Sequence, residues 1–208
     1  TGACYEFRNF NFSNTAGTRA RGVRMAVGNN QYGFRFFCCS FDGFTNGIES
    51  DYAIDYDVMG LVLDRCTFKN CSAYGVRTTA GGIVQECYFY NNTTAGLYRG
   101  AHAAAPGAIS IVNSVFHANG VGIQFTTLTG ASTHVRNCAF ASNTDGIKYG
   151  GSDAYAVSVV NSIFTGHTYG INLDRIPQIL NEHHNFFYNN TNDVHTSYMT
   201  KDNTDVSL

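Results

Sequence analysis

Acidic side chains are densest in one stretch of the sequence, between residues 49 and 57. This stretch holds Glu49, Asp51, Asp55 and Asp57. Calcium takes several oxygen ligands, and carboxylates are among its usual partners in proteins. The stretch is therefore a candidate calcium site, although its acids lack the spacing of a calcium-binding loop.

The cysteines and histidines do not form a second metal-binding pattern. The seven cysteines lack Cys-x-x-Cys spacing, and their odd number does not suggest a disulfide framework. We interpret them as small buried hydrophobic residues, which favours folding in a reducing compartment. His183 and His184 are adjacent, and neighbours on a strand face opposite ways, which predicts a structural or surface role.

The overall charge and the length of the apolar runs argue against two classes of partner. The chain of 208 residues has a formal net charge of −2 and a sequence pI near 6.3. This balance provides no basic field for nucleic acid. No apolar run approaches the ~20 residues that cross a bilayer. We therefore expect neither nucleic-acid binding nor membrane insertion.

An internal repeat sets the positions of these residues. Three successive copies read ISIVNSVFHANGVGIQF (109–125), THVRNCAFASNTDGIKY (133–149) and VSVVNSIFTGHTYGINL (157–173). Each has an apolar run, an Asn, a small residue, a Phe, and later a Gly followed by Ile. The Phe recurs at positions 41, 68, 89, 116, 140, 164 and 187. A period in the low twenties suits a β-coil of three short strands and is too short for helix-pair repeats of about 33 residues.

The repeats predict a solenoid of stacked β-coils. Leucine-rich repeats have a similar period, but they need closely spaced Leu, whereas this chain uses Val, Ile, Phe and Cys. Across residues 34–195 the Asn, Phe and Gly-Ile slots resemble those of right-handed parallel β-helix proteins of the pectate-lyase-like family. The expected fold is all-β, a right-handed parallel β-helix of about seven to eight coils with roughly 24 residues each. We expect residues 1–33 to form an irregular N-terminal coil or cap, and residues 196–208 a C-terminal tail that continues or packs on a partner.

Stacking of equivalent positions assigns each slot to a face of the coil. Coils stack about 4.8 Å apart, so the Phe slot and the Ile/Val slot form inward columns. The slot two residues before the Phe, usually Cys or Ser, shares that inward face. Asparagines form ladders at two bends, where His167 stands in for one of them, and the recurrent Gly is expected to permit a sharp bend.

The strand after the recurrent Gly places one outward side chain per coil on the surface. These side chains are Glu49, Arg77, Tyr98, Gln124, Lys148 and Asn172. Tyr74 and Tyr169 lie in the bend just ahead of this strand. Rings can stack on sugar faces while amides and charges bond the hydroxyl groups, so we predict that these residues bind a linear glycan. The alternative is that they are polar only for solubility.

The resemblance implies two catalytic alternatives. In polysaccharide lyases of this fold, carboxylates hold calcium against a uronate while an Arg or Lys abstracts a proton. The acids at 49–57 would then act with Arg77 or Lys148 as the base. In hydrolases of this fold, paired carboxylates serve as acid and base, which makes Asp145 and Asp174 the candidates. The motifs that mark either class closely are missing.

The leading functional prediction is glycan or polysaccharide binding by a β-helix in a virion tailspike or fibre-like assembly. No cofactor is required, although calcium stays a candidate. The expected partners are a polysaccharide or cell-surface glycan and further copies of the chain in a homo-oligomer or larger assembly. The expected location is the virion or the extracellular space. The alternatives are an extracellular polysaccharide lyase or glycoside hydrolase and a purely structural shaft.

Overall fold

The computed structural model describes residues 4–15, 20–25, 33–50, 60–100, 107–126, 132–150, 156–173, 179–195 and 204–207. The regular elements of these residues are short β-strands, and each pair of neighbouring strands is parallel. Among the same residues, no helix is long and apolar enough to span a bilayer.

Three strands make one coil, and the described residues repeat this unit from Cys4 to His195. The first three coils contain β1 (Cys4–Arg8), β2 (Asn11–Ser13), β3 (Arg21–Met25), β4 (Gly33–Phe37), β5 (Ser40–Asp42), β6 (Asn46–Ser50), β7 (Leu61–Asp64), β8 (Thr67–Lys69) and β9 (Tyr74–Thr78). The next three contain β10 (Gly82–Gln85), β11 (Tyr88–Tyr90), β12 (Ala95–Arg99), β13 (Ile109–Val112), β14 (Val115–His117), β15 (Val121–Phe125), β16 (Ser132–Arg136), β17 (Ala139–Ala141) and β18 (Asp145–Tyr149). The remaining strands are β19 (Ala156–Val160), β20 (Ile163–Thr165), β21 (Tyr169–Leu173), β22 (Ile179–His183), β23 (Phe186–Tyr188), β24 (Asn192–His195) and β25 (Val206–Ser207).

Equivalent strands of successive coils form three long sheets. The first sheet joins the opening strand of each coil, from β1 to β22, and the third sheet joins the closing strands, from β3 to β24. The second sheet runs from β2 through β23 to β25. The predicted all-β parallel solenoid is thus confirmed.

The predicted phenylalanine column is confirmed. Phe116, Phe140 and Phe164 are fully buried and pair in register across β14, β17 and β20. Their ring centroids lie 5.0 and 4.6 Å apart, and the rings are within 7° of parallel. The column extends in both directions, to Phe12 in β2 and Phe187 in β23. This continuous stack fills the core beside the second sheet.

The bends between the first and second sheets each need one residue with left-handed backbone geometry. Asn113, Asn137 and Asn161 occupy this slot with φ between 51° and 53°. Asn adopts this geometry more readily than most residues, which explains its recurrence here. Cys38 takes the same slot with φ 52° and is exposed.

The cysteines are free, and most of them are buried as predicted. Cys39, Cys66, Cys87 and Cys138 lie in the inward column beside the phenylalanines, each with 2% or less of its surface exposed. For Cys4 and Cys38 the prediction of burial is wrong. Cys38 is exposed because a bend residue with left-handed geometry points away from the core.

The coil pattern reaches into both segments that the sequence analysis set apart. Strands β1, β2 and β3 add one rung to each sheet, with Phe12 opposite Phe41. At the other end, β25 pairs with β23, and the amide of Asn185 donates a 2.6 Å hydrogen bond to the Asp205 carboxylate. That residues 1–33 cap the solenoid, or that 196–208 pack on a partner, stays a prediction.

Candidate functional site on the third sheet

Each strand of the third sheet presents two outward positions, the first and the fourth. The fourth positions align in one row: Arg24, Glu49, Arg77, Tyr98, Gln124, Lys148, Asn172 and His195. The first positions align in a second row: Arg21, Asn46, Tyr74, Ala95, Val121, Asp145, Tyr169 and Asn192. We call these two rows together the polar strip. They contain all eight residues that the sequence predicted as glycan ligands.

Glu49 is the electrostatic centre of the N-terminal part of the polar strip. Arg77 Nη1 donates to Glu49 Oε1 at 3.0 Å, and Asn46 Nδ2 donates to Oε2 at 2.9 Å. Arg21 Nε also donates to Oε2. Burial alone would raise the pKa of Glu49, but the hydrogen bonds from Arg21 and Asn46 and the charges of Arg21 and Arg77 outweigh it, so the pKa is lowered. The carboxylate is therefore ionised and held by two cations.

This arrangement bears directly on the candidate calcium site. Both oxygens of Glu49 already accept hydrogen bonds from Arg21, Asn46 and Arg77. Asp51, Asp55 and Asp57 lie outside the described residues. Within the described ranges no group of three metal-binding side chains comes together. Calcium binding at 49–57 accordingly stays a prediction, and Glu49 would have to leave its arginines to take part.

An aromatic group lies midway along the polar strip. The rings of Tyr74 and Tyr98, on β9 and β12, have centroids 4.8 Å apart and planes tilted by 47°. The Arg77 guanidinium carbon lies 6.0 and 5.8 Å from the two centroids, within cation–π range. Burial is the main cause of a raised pKa at Tyr74. The group presents apolar ring faces beside a fixed cation and two hydroxyl groups.

The C-terminal part of the strip is a second ion-pair network. Lys148 Nζ lies 3.6 Å from Asp145 Oδ2, to which Asn172 Nδ2 donates at 3.2 Å. Asn172 Oδ1 lies 3.1 Å from His195 Nδ1, and the His195 ring contacts Tyr169 with centroids 4.8 Å apart. Charged, amide and aromatic groups therefore continue along the strip to the last coil.

The candidate catalytic residues divide between these two networks. Arg77 is paired with Glu49, and Lys148 with Asp145, so both cations are already held by carboxylates. To act as a base, either side chain would first have to leave its carboxylate partner. Asp174 lies outside the described residues, so the predicted Asp145–Asp174 pair is not described.

Comparison with known families decides the classification of the fold. A family model for right-handed β-helix regions matches residues 1–192. The chain belongs to the right-handed β-helix family. No curated protein and no solved structure gives a significant match. The family match establishes the fold of this β-helix and not its function, because proteins with unrelated functions can share one fold.

One unusual residue of this β-helix, Arg99, was not predicted from the sequence. It is the last residue of β12, and the register pairs it with Thr78 and Phe125 on an inward column of the third sheet. The other members of that column are Met25, Ser50, Tyr149 and Leu173. Period-two alternation from outward Tyr98 would have placed Arg99 inside, but an arginine departs from the apolar pattern that marks inward slots.

Proposed function

We propose that this β-helix binds a linear glycan along the polar strip. The observation that supports it most is the group of Tyr74, Arg77 and Tyr98, in which two half-buried rings flank a fixed guanidinium. Ring faces can stack on the apolar faces of sugars, while guanidinium and amide groups donate to their hydroxyl or carboxylate oxygens. Because the strip repeats once per coil, it offers a series of subsites rather than one cavity.

The charges of the strip favour binding over cleavage. Glu49 and Asp145 are each neutralised by cations of the same strip, and these contacts hold the side chains in place before a ligand arrives. Such preorganisation lowers the entropic cost of binding. General acid–base catalysis instead needs groups that can exchange a proton near neutral pH. A lyase or hydrolase, and a shaft without a ligand, are the alternatives to be tested.

The experiment compares two matched pairs of tyrosines. In the double variant Tyr74→Ala/Tyr98→Ala the rings of the strip are removed, whereas Tyr88→Ala/Tyr90→Ala removes two rings 6.0 Å apart on the outer face of the second sheet. Binding of defined neutral and acidic oligosaccharides is measured by calorimetry, with and without calcium. We expect the first variant to lose about tenfold or more in affinity, because removing residues at the centre of a binding surface typically costs that much. The second variant should bind like the wild type.

Three outcomes would contradict the proposal. If no oligosaccharide binds, the structural shaft is favoured. If the strip variant binds as tightly as the wild type, the glycan site lies elsewhere. If new reducing ends or unsaturated products appear, the enzyme alternative replaces simple binding.

A further inference from the structure

Arg99 is a fully buried cation in the interior of the solenoid. None of its surface is exposed, and its neighbours across the sheet on the inward column are Thr78 and Phe125. A charge in such a position is expensive unless other groups compensate it. Arg99 is therefore the place in the core where a compensating group is most needed.

The hydrogen-bond partners of Arg99 are neutral. Nη1 donates to Thr133 Oγ1 at 2.9 Å and to the carbonyl oxygen of Ser132 at 3.2 Å. Nη2 donates to the carbonyl oxygen of Gly107. These contacts tie the end of β12 to residues that open the following coils, but they provide no negative charge.

One donor of the guanidinium remains unused, and no carboxylate of the described residues pairs with Arg99. Arg99 Nε is buried and has no hydrogen-bond partner among the described residues. None of the ion pairs in the described part of the chain includes Arg99. Burial lowers the pKa of Arg99 to about 10, so the side chain is still a cation at neutral pH. The positive charge is thus uncompensated by the protein groups described.

The inward column is polar on the side of Arg99 that faces the preceding coils and apolar on the other side, where Phe125 follows it. Thr78 and Ser50 precede Arg99 on the same inward column, and both are almost fully buried. The Ser50 hydroxyl lies within hydrogen-bond distance of the hydroxyl groups of Thr78 and Thr79, at 3.4 and 3.5 Å. Hydroxyl groups can rotate to donate to an anion. Thr78, the register neighbour of Arg99, therefore brings one hydroxyl group to the coil next to the buried guanidinium.

From these observations we propose that this β-helix binds a small monovalent inorganic anion next to Arg99 Nε. The anion compensates the buried charge and accepts the unused N–H hydrogen bond. It must be small because Arg99 has no exposed surface through which a larger group could reach it. This site is on the inner side of the third sheet and is independent of glycan binding on the polar strip.

The first test measures thermal unfolding as chloride replaces gluconate at constant ionic strength, since gluconate is too large for an enclosed site. Chloride should raise the Tm of the wild type, by about 3–6 °C at ten times its dissociation constant. Arg99→Met should remove this dependence, whereas Arg136→Met, at an exposed position, should retain it. A wild-type Tm that does not respond to chloride, or an equal response in Arg99→Met, contradicts the site.

The second test uses the wild-type protein, so it does not depend on whether Arg99→Met folds. Crystals soaked in bromide should show an anomalous peak next to Arg99 Nε. In crystals of Thr133→Val, which removes one neutral acceptor of Arg99, the peak should persist. A wild-type map with bromide only at the surface, or with an ordered water at Nε, would overturn the proposal.

Discussion

Gly146 illustrates why one slot of each coil admits no side chain. A Cβ atom at this position would lie 2.4 Å from the carbonyl oxygen of Gly170 in the next coil and 2.7 Å from Phe164 Cδ1. The recurrent glycines of the third sheet were predicted to permit a bend, but none of them has a positive φ. That interpretation is wrong: the glycines let successive coils and the phenylalanine stack approach closely. Asp193 fills the slot in β24, which ends the third sheet among the described strands.

Because an added Cβ atom would meet these groups, Gly146→Ala should destabilise the fold. Overpacking of this kind costs about 1–3 kcal/mol of unfolding free energy. The control is Gly107→Ala, where the nearest atom to an added Cβ is Gly81 Cα at 3.6 Å, an ordinary contact. Chemical denaturation of both variants measures the difference. Equal stability of Gly146→Ala and the wild type would show that the coils can shift apart.

Glu49 makes stability depend on pH in the acid range. Its folded pKa is lowered, because the effect of Arg21, Asn46 and Arg77 exceeds that of burial. A lowered carboxyl pKa contributes stability that is present above the unfolded value of about 4.3 and is lost as pH falls through the folded value. Glu49→Gln should lower the unfolding free energy by about 1–3 kcal/mol at pH 7 and flatten this acid-side slope.

The matched control for Glu49 is Glu6, whose ion pair with Arg8 is exposed. Denaturant melts between pH 3 and pH 7 should show no comparable change for Glu6→Gln, since exposed ion pairs contribute about 0–1 kcal/mol. If the two variants behave alike, the Glu49 network contributes nothing specific to stability.

Sequence periodicity predicted the columns of this molecule better than the contacts between them. The Phe spacing was sufficient for the core, because identical slots must stack when coils share one register. The row from Glu49 to Asn172 followed from the same register. The pairing of Glu49 with Arg21 and Arg77 did not follow, because it depends on side-chain rotamers and on a row that includes the first coil. Arg99 was missed because an arginine in an inward slot departs from the hydrophobic pattern used to find such slots.

At the scale of elements, the bends that follow the second sheet are joined by an asparagine ladder. The backbone amide of Asn92 donates to Asn119 Oδ1 at 3.1 Å, and that of Asn119 to Asn143 Oδ1 at 2.8 Å. The next acceptor is His167 Nδ1, 3.2 Å from the Asn143 amide nitrogen. His167 in turn donates its own amide to Asn190 Oδ1. The predicted ladder, with His167 in an Asn slot, is confirmed.

His167 should make the ladder sensitive to mild acid. Burial is the main reason that its pKa is lowered, and Nε2 is buried without a partner among the described residues. In the folded protein the His167 ring therefore resists protonation. In the unfolded chain the same ring takes up a proton near the ordinary histidine pKa of about 6.5. Stability is then full above that value and falls as pH decreases toward the lowered folded pKa.

Replacing His167 by the ladder's usual residue isolates this effect. His167→Asn should keep stability at pH 7.5 and lose less stability than the wild type between pH 7 and pH 5. His117→Asn, on the outer face of β14, provides the control and should follow the wild-type profile. Thermal melts across this range measure the difference, and parallel wild-type and His167→Asn curves would exclude His167 as the sensor.

At the scale of the whole molecule, the third sheet and the part of the second sheet from β11 to β23 present unlike outer faces. The third sheet carries the charged networks of the polar strip. In the second sheet, β11, β14, β17, β20 and β23 contain no Asp, Glu, Lys or Arg. The large exposed residues of these strands are Tyr88, Tyr90, Val115, Ile163 and Tyr188, each between 36% and 52% exposed. Exposed apolar groups collected on one face favour an interaction surface there, which stays a prediction.

If the predicted homo-oligomer forms, this uncharged face is where a second copy should pack. Two identical uncharged faces can meet without repulsion, as an isologous interface requires. Ile163→Lys places a charge on the face and should shift the protein toward monomer, because a like charge from each copy would be buried at the contact. Ile83→Lys, at a 43% exposed position on the first sheet, should leave association unchanged. Sedimentation velocity over a range of concentrations measures the association of each protein. A wild type that is monomeric at every concentration contradicts the assembly. If both variants associate equally, the contact lies on another face.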